Sequence, residues 1–151
     1  MAGMDEVTVR KATAQDSEFA YRTKKAAFRE YVEQLWGWDE DKQRELHARR
    51  FASQEFSVVR QGSEDVGVMA VSRGREAIRL NQLYIVPKHQ GRGIGTVCME
   101  KLLDEARGRG VPVRLRVLKV NARAAAFYER HGFTVSGESD THILMERKPR
   151  S

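Results

Sequence analysis

Glycines at 91, 93 and 95 follow the apolar run Leu83-Tyr84-Ile85-Val86-Pro87 and precede a helix-patterned stretch. This alternation limits the fold more than any other feature of the chain. Glycine has no Cβ, so the backbone can take positive φ and press its N–H groups against a ligand. The first N–H groups of a helix have no intrahelical acceptor, and the aligned peptide dipoles place about half a positive charge there. A strand, a glycine turn and a helix start in succession therefore form an anion cradle, with a phosphate or pyrophosphate as the expected guest. Ile78, Leu80, Leu83, Ile85 and Val86 mark the strand. Gly95, Met99, Leu102, Leu103 and Ala106 fall three and four apart on one helix face.

Two familiar phosphate loops are disfavoured by what stands in place. A P-loop would end in Gly-Lys-Ser/Thr after four intervening residues, and this run does not. A dinucleotide fingerprint from Gly91 requires glycine where Thr96 stands, and one from Gly93 requires it where Cys98 stands. The plain alternative is a turn that merely joins a strand to a helix.

Further motifs bear on that choice. Gln90-Gly91-Arg92-Gly93-Ile94-Gly95 resembles the Gln/Arg-x-x-Gly-x-Gly/Ala signature of the GNAT family of N-acetyltransferases. Leu83 to Pro87 precedes it in the family's order. About thirty residues on, the run from Asn121 through Ala124, Ala125 and Tyr128 to Gly132-Phe133 is similar to the family's Asn…Ala…Tyr…Gly-Phe helix. The resemblance is close from Ile78 to Phe133 and holds in outline before that. It implies an α/β fold with a mixed, mostly antiparallel sheet whose central strands splay to form a cofactor cleft. It also implies acetyl-coenzyme A as co-substrate, with Leu83, Tyr84 and Ile85 aligning the pantetheine. Gly91, Arg92, Gly93, Ile94, Gly95 and Thr96 would hold the pyrophosphate. Asn121 is implied near the pantetheine arm, and Tyr128 near the sulfur as general acid.

With 151 residues the chain reads as one domain, 1–151, long enough to bury a core without disulfides. A hydrophobic share of 40% beside 32% charged residues fits a soluble protein. No apolar run approaches the ~20 residues that span a bilayer. The start, with Asp5 and Glu6, lacks the apolar core of a secretory signal. The single Cys98 cannot form an internal disulfide, which suits a reducing compartment, so a cytoplasmic location is expected. The net charge of +6 raises the question of nucleic acid. Its clusters are no denser than Arg49-Arg50, Arg73/Arg75, Arg114/Arg116 and Lys148-Pro149-Arg150, and no recognition motif accompanies them. No specific nucleic-acid or membrane partner is expected; a homodimer stays open.

Along the chain the pattern predicts β-α-α-β-β-β-α-β-α-β-β. Val7 to Arg10 opens as a strand, and Thr13 to Asp16 resembles a capping box. A first helix runs from about Asp16 to Glu33, and Asp39 caps a second reaching about Ala52. Leu35 to Trp38, with both tryptophans, is read as the loop between them. Strands follow at 56–60 and 66–71 across a polar turn, then at 78–86 and, after the loop helix, at 113–117. Asn121 opens the last helix, Gly132 closes it, and two short strands end the chain.

Asn121, Ala124/Ala125 and Tyr128 share one helix face. A tyrosine with pKa ~10 giving its proton to a thiolate near ~8.5 works uphill by about 2 kcal/mol, so Tyr128 is expected mainly to hydrogen-bond the developing thiolate. Its plain alternative is an aromatic closing the core beside Phe127. Neutralising an ordinary lysine-like amine costs roughly 4.6 kcal/mol at pH 7, so a proton acceptor or an already neutral amine is needed. Where the family often carries a basic glutamate, this chain has Asn81 and Gln82 on one strand and Arg116 on another. Water-relayed proton loss, or a carboxylate among Glu30, Glu33, Asp39 and Glu40, is what is left. The family forms its acceptor pocket from the first two helices, so Glu33, Trp36, Trp38 and Asp39 are the expected substrate wall, suited to a cationic amine. Capping and anchoring are their alternative roles. His47, His89, His131 and His142 show no metal-ligand spacing, and no metal is expected. Lys88, Arg92 and Arg123 are candidate phosphate partners. The function implied is acetyl transfer to a small-molecule or peptide amine. A coenzyme A-sensing or partner-binding module without efficient chemistry is the alternative.

Overall fold

The computed structural model describes residues Glu6–Pro149; Asp5, at the start read as lacking a secretory signal, and Arg150 of the last basic cluster lie outside the described residues. Among the described residues seven strands hydrogen-bond in the order β1-β2-β3-β4-β5-β7-β6. They are β1 (Val7–Lys11), β2 (Glu55–Gln61), β3 (Glu64–Arg73), β4 (Ile78–Ile85), β5 (Val113–Leu118), β6 (Thr134–Glu138) and β7 (His142–Arg147). Four helices interleave with them: α1 (Ser17–Trp36), α2 (Glu40–Ser53), α3 (Ile94–Arg109) and α4 (Ala122–Arg130). The element order is the one the sequence pattern predicts. The sheet is mixed: β1 and β2, β5 and β7, and β6 and β7 run antiparallel, while β4 and β5 run parallel.

By contacts the chain divides into two compact units. The first comprises the residues up to Ala70 with Gln82–Cys98; the second comprises Val71–Asn81 with the residues from Met99 on.

In the first unit Thr13 opens a short 3-10 turn, Ala14–Asp16, with the capping box that its sequence signals. Arg10 closes on Asp16 through two 2.9 Å hydrogen bonds, tying β1 to the start of α1. Helix α1 runs one turn further than its pattern suggests and takes in Leu35 and Trp36. Gly37, at φ 75°, ends it, and the loop shrinks to Gly37–Asp39. Ala20 of α1 packs with Phe56 of β2 and with Val68 and Ala70 of β3, and Phe51 and Tyr84 close around them.

In the second unit β5 alternates buried Val113, Leu115 and Val117 with exposed Arg114 and Arg116. Met99, Leu102 and Ala106 of α3, Phe133 and Met145 are also buried there. Gly110, at φ 68°, ends α3, and Val111 N–H returns to the Ala106 carbonyl at 3.0 Å. This is the left-handed closure that glycine permits.

Candidate active site

The first unit holds the glycine loop. After β4 the chain passes through a 3-10 turn, Pro87–His89, and Gln90 folds back so that its Nε2 donates to the Ile85 carbonyl at 3.0 Å. Gly91 and Gly93 take φ 79° and 82°, while Arg92 between them does not, since no described residue other than glycine has positive φ. Such alternation points successive N–H groups into one concavity, an anion nest. A Cβ at either glycine would meet nothing within 4 Å, so conformation, not space, calls for glycine there. Helix α3 begins at Ile94, its first intrahelical bond running from Val97 N–H to the Gly93 carbonyl at 3.1 Å. Ile94 is 2% exposed and fixes the helix start, while Gly91, Arg92 and Gly93 face solvent.

The loop is braced from below by His89, a residue whose part the sequence does not disclose. His89 Nδ1 lies 3.2 Å from Arg92 Nη1 and its Nε2 lies 2.9 Å from Glu64 Oε2. A guanidinium only donates, so Nδ1 accepts and Nε2–H donates to the carboxylate. That bond, helped by Lys88 at 3.6 Å, holds Glu64 below the usual carboxylate range. Arg92 is thus aimed by its neighbour with further N–H donors to spare.

Leu83, Tyr84 and Ile85 sit half-buried on β4 just before the loop. Gly67 of β3 lies so close that a Cβ there would come 2.7 Å from the Tyr84 carbonyl oxygen. Phe28 of α1 packs on Tyr84 at 5.3 Å between ring centroids. Gln82, directly before this stretch, is 5% exposed, and its Oε1 is buried without a hydrogen-bond partner.

The helix-turn residues expected to face an acceptor take different places. Trp36 is 60% exposed. Asp39 accepts from Lys42 N–H at 3.1 Å and so caps α2. Glu33 is paired with Arg29 one turn earlier. Trp38 donates its indole N–H to Glu40 at 3.0 Å and lies 6.5 Å from Tyr21. Glu40 is the node of this region: it also accepts from Lys25 at 2.7 Å, Tyr21 at 2.9 Å and Arg44 at 3.0 Å. The Lys25 bond first, then those from Trp38 and Tyr21, push its pKa down to about 2. A carboxylate so saturated is a poor proton acceptor at neutral pH, which leaves Glu40 out of the candidate bases.

The second unit carries Asn121 and Tyr128. Asn121 is the N-cap of α4, its Oδ1 accepting from Ala124 N–H at 3.1 Å, so its carbonyl is committed to the helix. Tyr128 stands two turns on, edge-on to Phe127 and Phe133 at 5.5 and 5.7 Å. No described residue hydrogen-bonds its hydroxyl in the second unit, and desolvation pushes its pKa up to about 12. Arg147 donates to the His131 carbonyl at 2.7 Å and closes the helix end. Cys98 is fully buried and makes no candidate nucleophile.

Comparison with known proteins bears on the family and the fold. Streptothricin acetyltransferase of Streptomyces lavendulae is 35% identical over 88 residues, which is 56% of this chain and 47% of that protein. The chain spans about half the length of that curated relative. Among solved structures, the PaiA N-acetyltransferase of Thermoplasma acidophilum in complex with coenzyme A superposes with a TM-score of 0.77 at 17% identity, covering 95% of this chain and 99% of that one. The ribosomal-protein-S18-alanine N-acetyltransferase of Escherichia coli does so with 0.73 at 20% identity, covering 97% and 96%. At such identities the structures speak for the fold. Residues 18–133 match the acetyltransferase (GNAT) family, from the first turn of α1 to Phe133, and the chain belongs to that family.

Proposed function

We propose that the chain is an N-acetyltransferase that moves an acetyl group from acetyl-coenzyme A directly to an amine. The observation that carries the reading is the nest at Gly91–Gly93 opening α3 at the end of β4. Its N–H groups and the helix dipole suit a pyrophosphate. Leu83, Tyr84 and Ile85 offer a strand backbone for the pantetheine amides. Arg92 would meet the phosphate charge, and in the second unit Asn121 sets the start of α4.

The energetics assign the parts. Tyr128, near pKa 12, would have to give up its proton to a thiolate near ~8.5. Full transfer would cost roughly 5 kcal/mol. Tyr128 therefore acts as a hydrogen-bond donor to the sulfur as negative charge gathers there. On the acceptor side the Gln82 amide takes no proton. The proton leaves by water or through Glu30, Glu33 or Asp39. Trp36 and Trp38 border the acceptor, with cation–π attraction favouring an amine that arrives charged.

The chain's relatives and structural neighbours include a streptothricin acetyltransferase and a ribosomal-protein-S18-alanine N-acetyltransferase. Both small molecules and peptide N-termini thus belong in the test. Purified protein with acetyl-coenzyme A and a panel of polyamines, amino acids, aminoglycosides and short peptides should release thiol with one acceptor class. Stabilisation by the cofactor with no thiol release across the panel would favour the sensing module instead.

A further inference from the structure

The second unit carries arginines for which acyl transfer has no use. β4 and β5 place Arg79 directly opposite Arg114, one residue beyond the buried pair Ile78 and Val113. Both arginines are exposed and stand on the same face of adjacent strands. Like charges directly opposite one another destabilise a ladder. Arg114 is relieved by Glu146, its register partner on β7, whose Oε2 accepts from it at 2.7 Å. Arg79 has no such relief: it makes no hydrogen bond or ion pair with a described residue, and neither does Arg75 in the turn before β4. These three arginines line an open cleft of about 470 Å³ together with Ser72, Gly74 and Glu76.

The frame around the cleft is held in place before anything binds. Gly74 N–H donates to the Ala77 carbonyl at 2.9 Å, and Ile78 N–H to the Pro112 carbonyl at 3.0 Å. Arg109 donates to the Gly74 carbonyl at 2.6 Å, and Arg73 grips Glu105 of α3 with two bonds of 2.6 and 3.0 Å. Ser72 Oγ already accepts from Asn81 Nδ2 at 2.9 Å, which leaves its hydroxyl hydrogen to donate. A ligand therefore meets donors on a fixed turn, and little ordering is needed to bind it.

We propose that this cleft is a second anion site, made of none of the glycine-loop residues, that takes a compact small molecule bearing phosphate. A guanidinium fork matches two phosphate oxygens at once, and three guanidiniums around one cleft call for a multiply charged group where one carboxylate would satisfy a single fork. The volume lies within the range of small-molecule sites. Bound phosphate also supplies Arg79 with the negative charge that Glu146 already supplies to Arg114.

The test uses 15N-labelled protein saturated with coenzyme A, so that the glycine loop is occupied, titrated with inorganic pyrophosphate. The proposal expects amide shifts at residues 72–79 and 113–115, and at least a tenfold loss of affinity in the Arg75→Ala/Arg79→Ala double variant. Both substitutions remove unpaired surface charges, so the variant should melt no lower than the parent and still be stabilised by coenzyme A. Absence of shifts at 72–79, or equal affinity in the double variant, overturns the proposal. Shifts confined to 91–96 would show instead that the loop is not filled by coenzyme A, a failure of the acetyltransferase reading that leaves the cleft without a ligand as well.

Discussion

Lys24 is 3% exposed on α1 and makes no ion pair with a described residue. Burial, aided by the charge of Arg50, pushes its pKa down to about 8 from 10.5. Between those values the unfolded chain binds more protons than the folded one, so this lysine makes stability rise with pH from about 8 to 10.5. Below pH 8 the full penalty applies, on the order of 3 kcal/mol. Lys24→Met, which keeps the length of the stem, should therefore raise the unfolding free energy at pH 7 by roughly 1–3 kcal/mol and flatten the rise above pH 8. Urea melts at pH 7 and 9.5 measure both, and a less stable variant at pH 7 would contradict the account. Tyr128 is the residue whose change should be felt in turnover alone. Tyr128→Phe is expected to lower kcat by about 10²-fold with little change in KM for acetyl-coenzyme A, the signature of a donor used in the transition state. Since burial lifts its pKa, the phenol stays protonated through pH 10, and kcat should show no tyrosine limb below that. Unchanged turnover in the variant would take Tyr128 out of the mechanism.

Among elements, the junction of α1 and α2 and the end of β4 are the two that position the candidate site. Glu40 ties the helices together, and its depressed pKa means that its contribution is present above the ordinary carboxylate value of 4.5 and fades as pH falls through about 2. Glu40→Gln should lower the melting temperature at pH 7, with the gap to the parent closing between pH 4.5 and 2; an equal gap at pH 2.5 would show that the charge is not the cause. Gly67 does for β4 what Glu40 does for the helices. Gly67→Ala would drive a methyl to 2.7 Å from the Tyr84 carbonyl oxygen, a backbone atom that cannot step aside. It should cost about 1–3 kcal/mol and weaken acetyl-coenzyme A binding, whereas a site that tolerates alanine at full stability would disprove the close approach. The order of these elements was legible in the sequence because alternation, helix spacing and caps at Thr13, Asp39 and Asn121 are local signals. The end of α1 lies three residues beyond Glu33 because Leu35 and Trp36, read as loop beside Gly37 and Trp38, continue the helix, and the physical stop is Gly37 at positive φ. The node at Glu40, the brace at His89 and the cleft at Arg79 join residues far apart in the chain, and no spacing rule reports such meetings. Asp39 shows the limit from the other side: the capping alternative weighed for it is the contact the structure contains.

At the scale of the whole molecule, a chain of net charge +6 gathers its cations in separate places and gives them different tasks. Arg44 and Lys25 lock the helix pair, Arg92 stands by the nest, and Arg75 and Arg79 have no hydrogen-bond or ion-pair partner among the described residues. The central claim is that the nest at Gly91–Gly93 receives the coenzyme's pyrophosphate. Calorimetric titration of acetyl-coenzyme A into the parent protein and into Gly93→Val tests it most directly. Valine is strongly disfavoured at the φ of 82° that Gly93 holds, while a Cβ there meets nothing within 4 Å, so the substitution is expected to distort the nest and leave the rest of the fold in place. The account predicts saturable binding to the parent and at least tenfold weaker binding to a variant whose melting temperature remains within a few degrees. Equal affinity in the two proteins, or no binding to the parent, would contradict it.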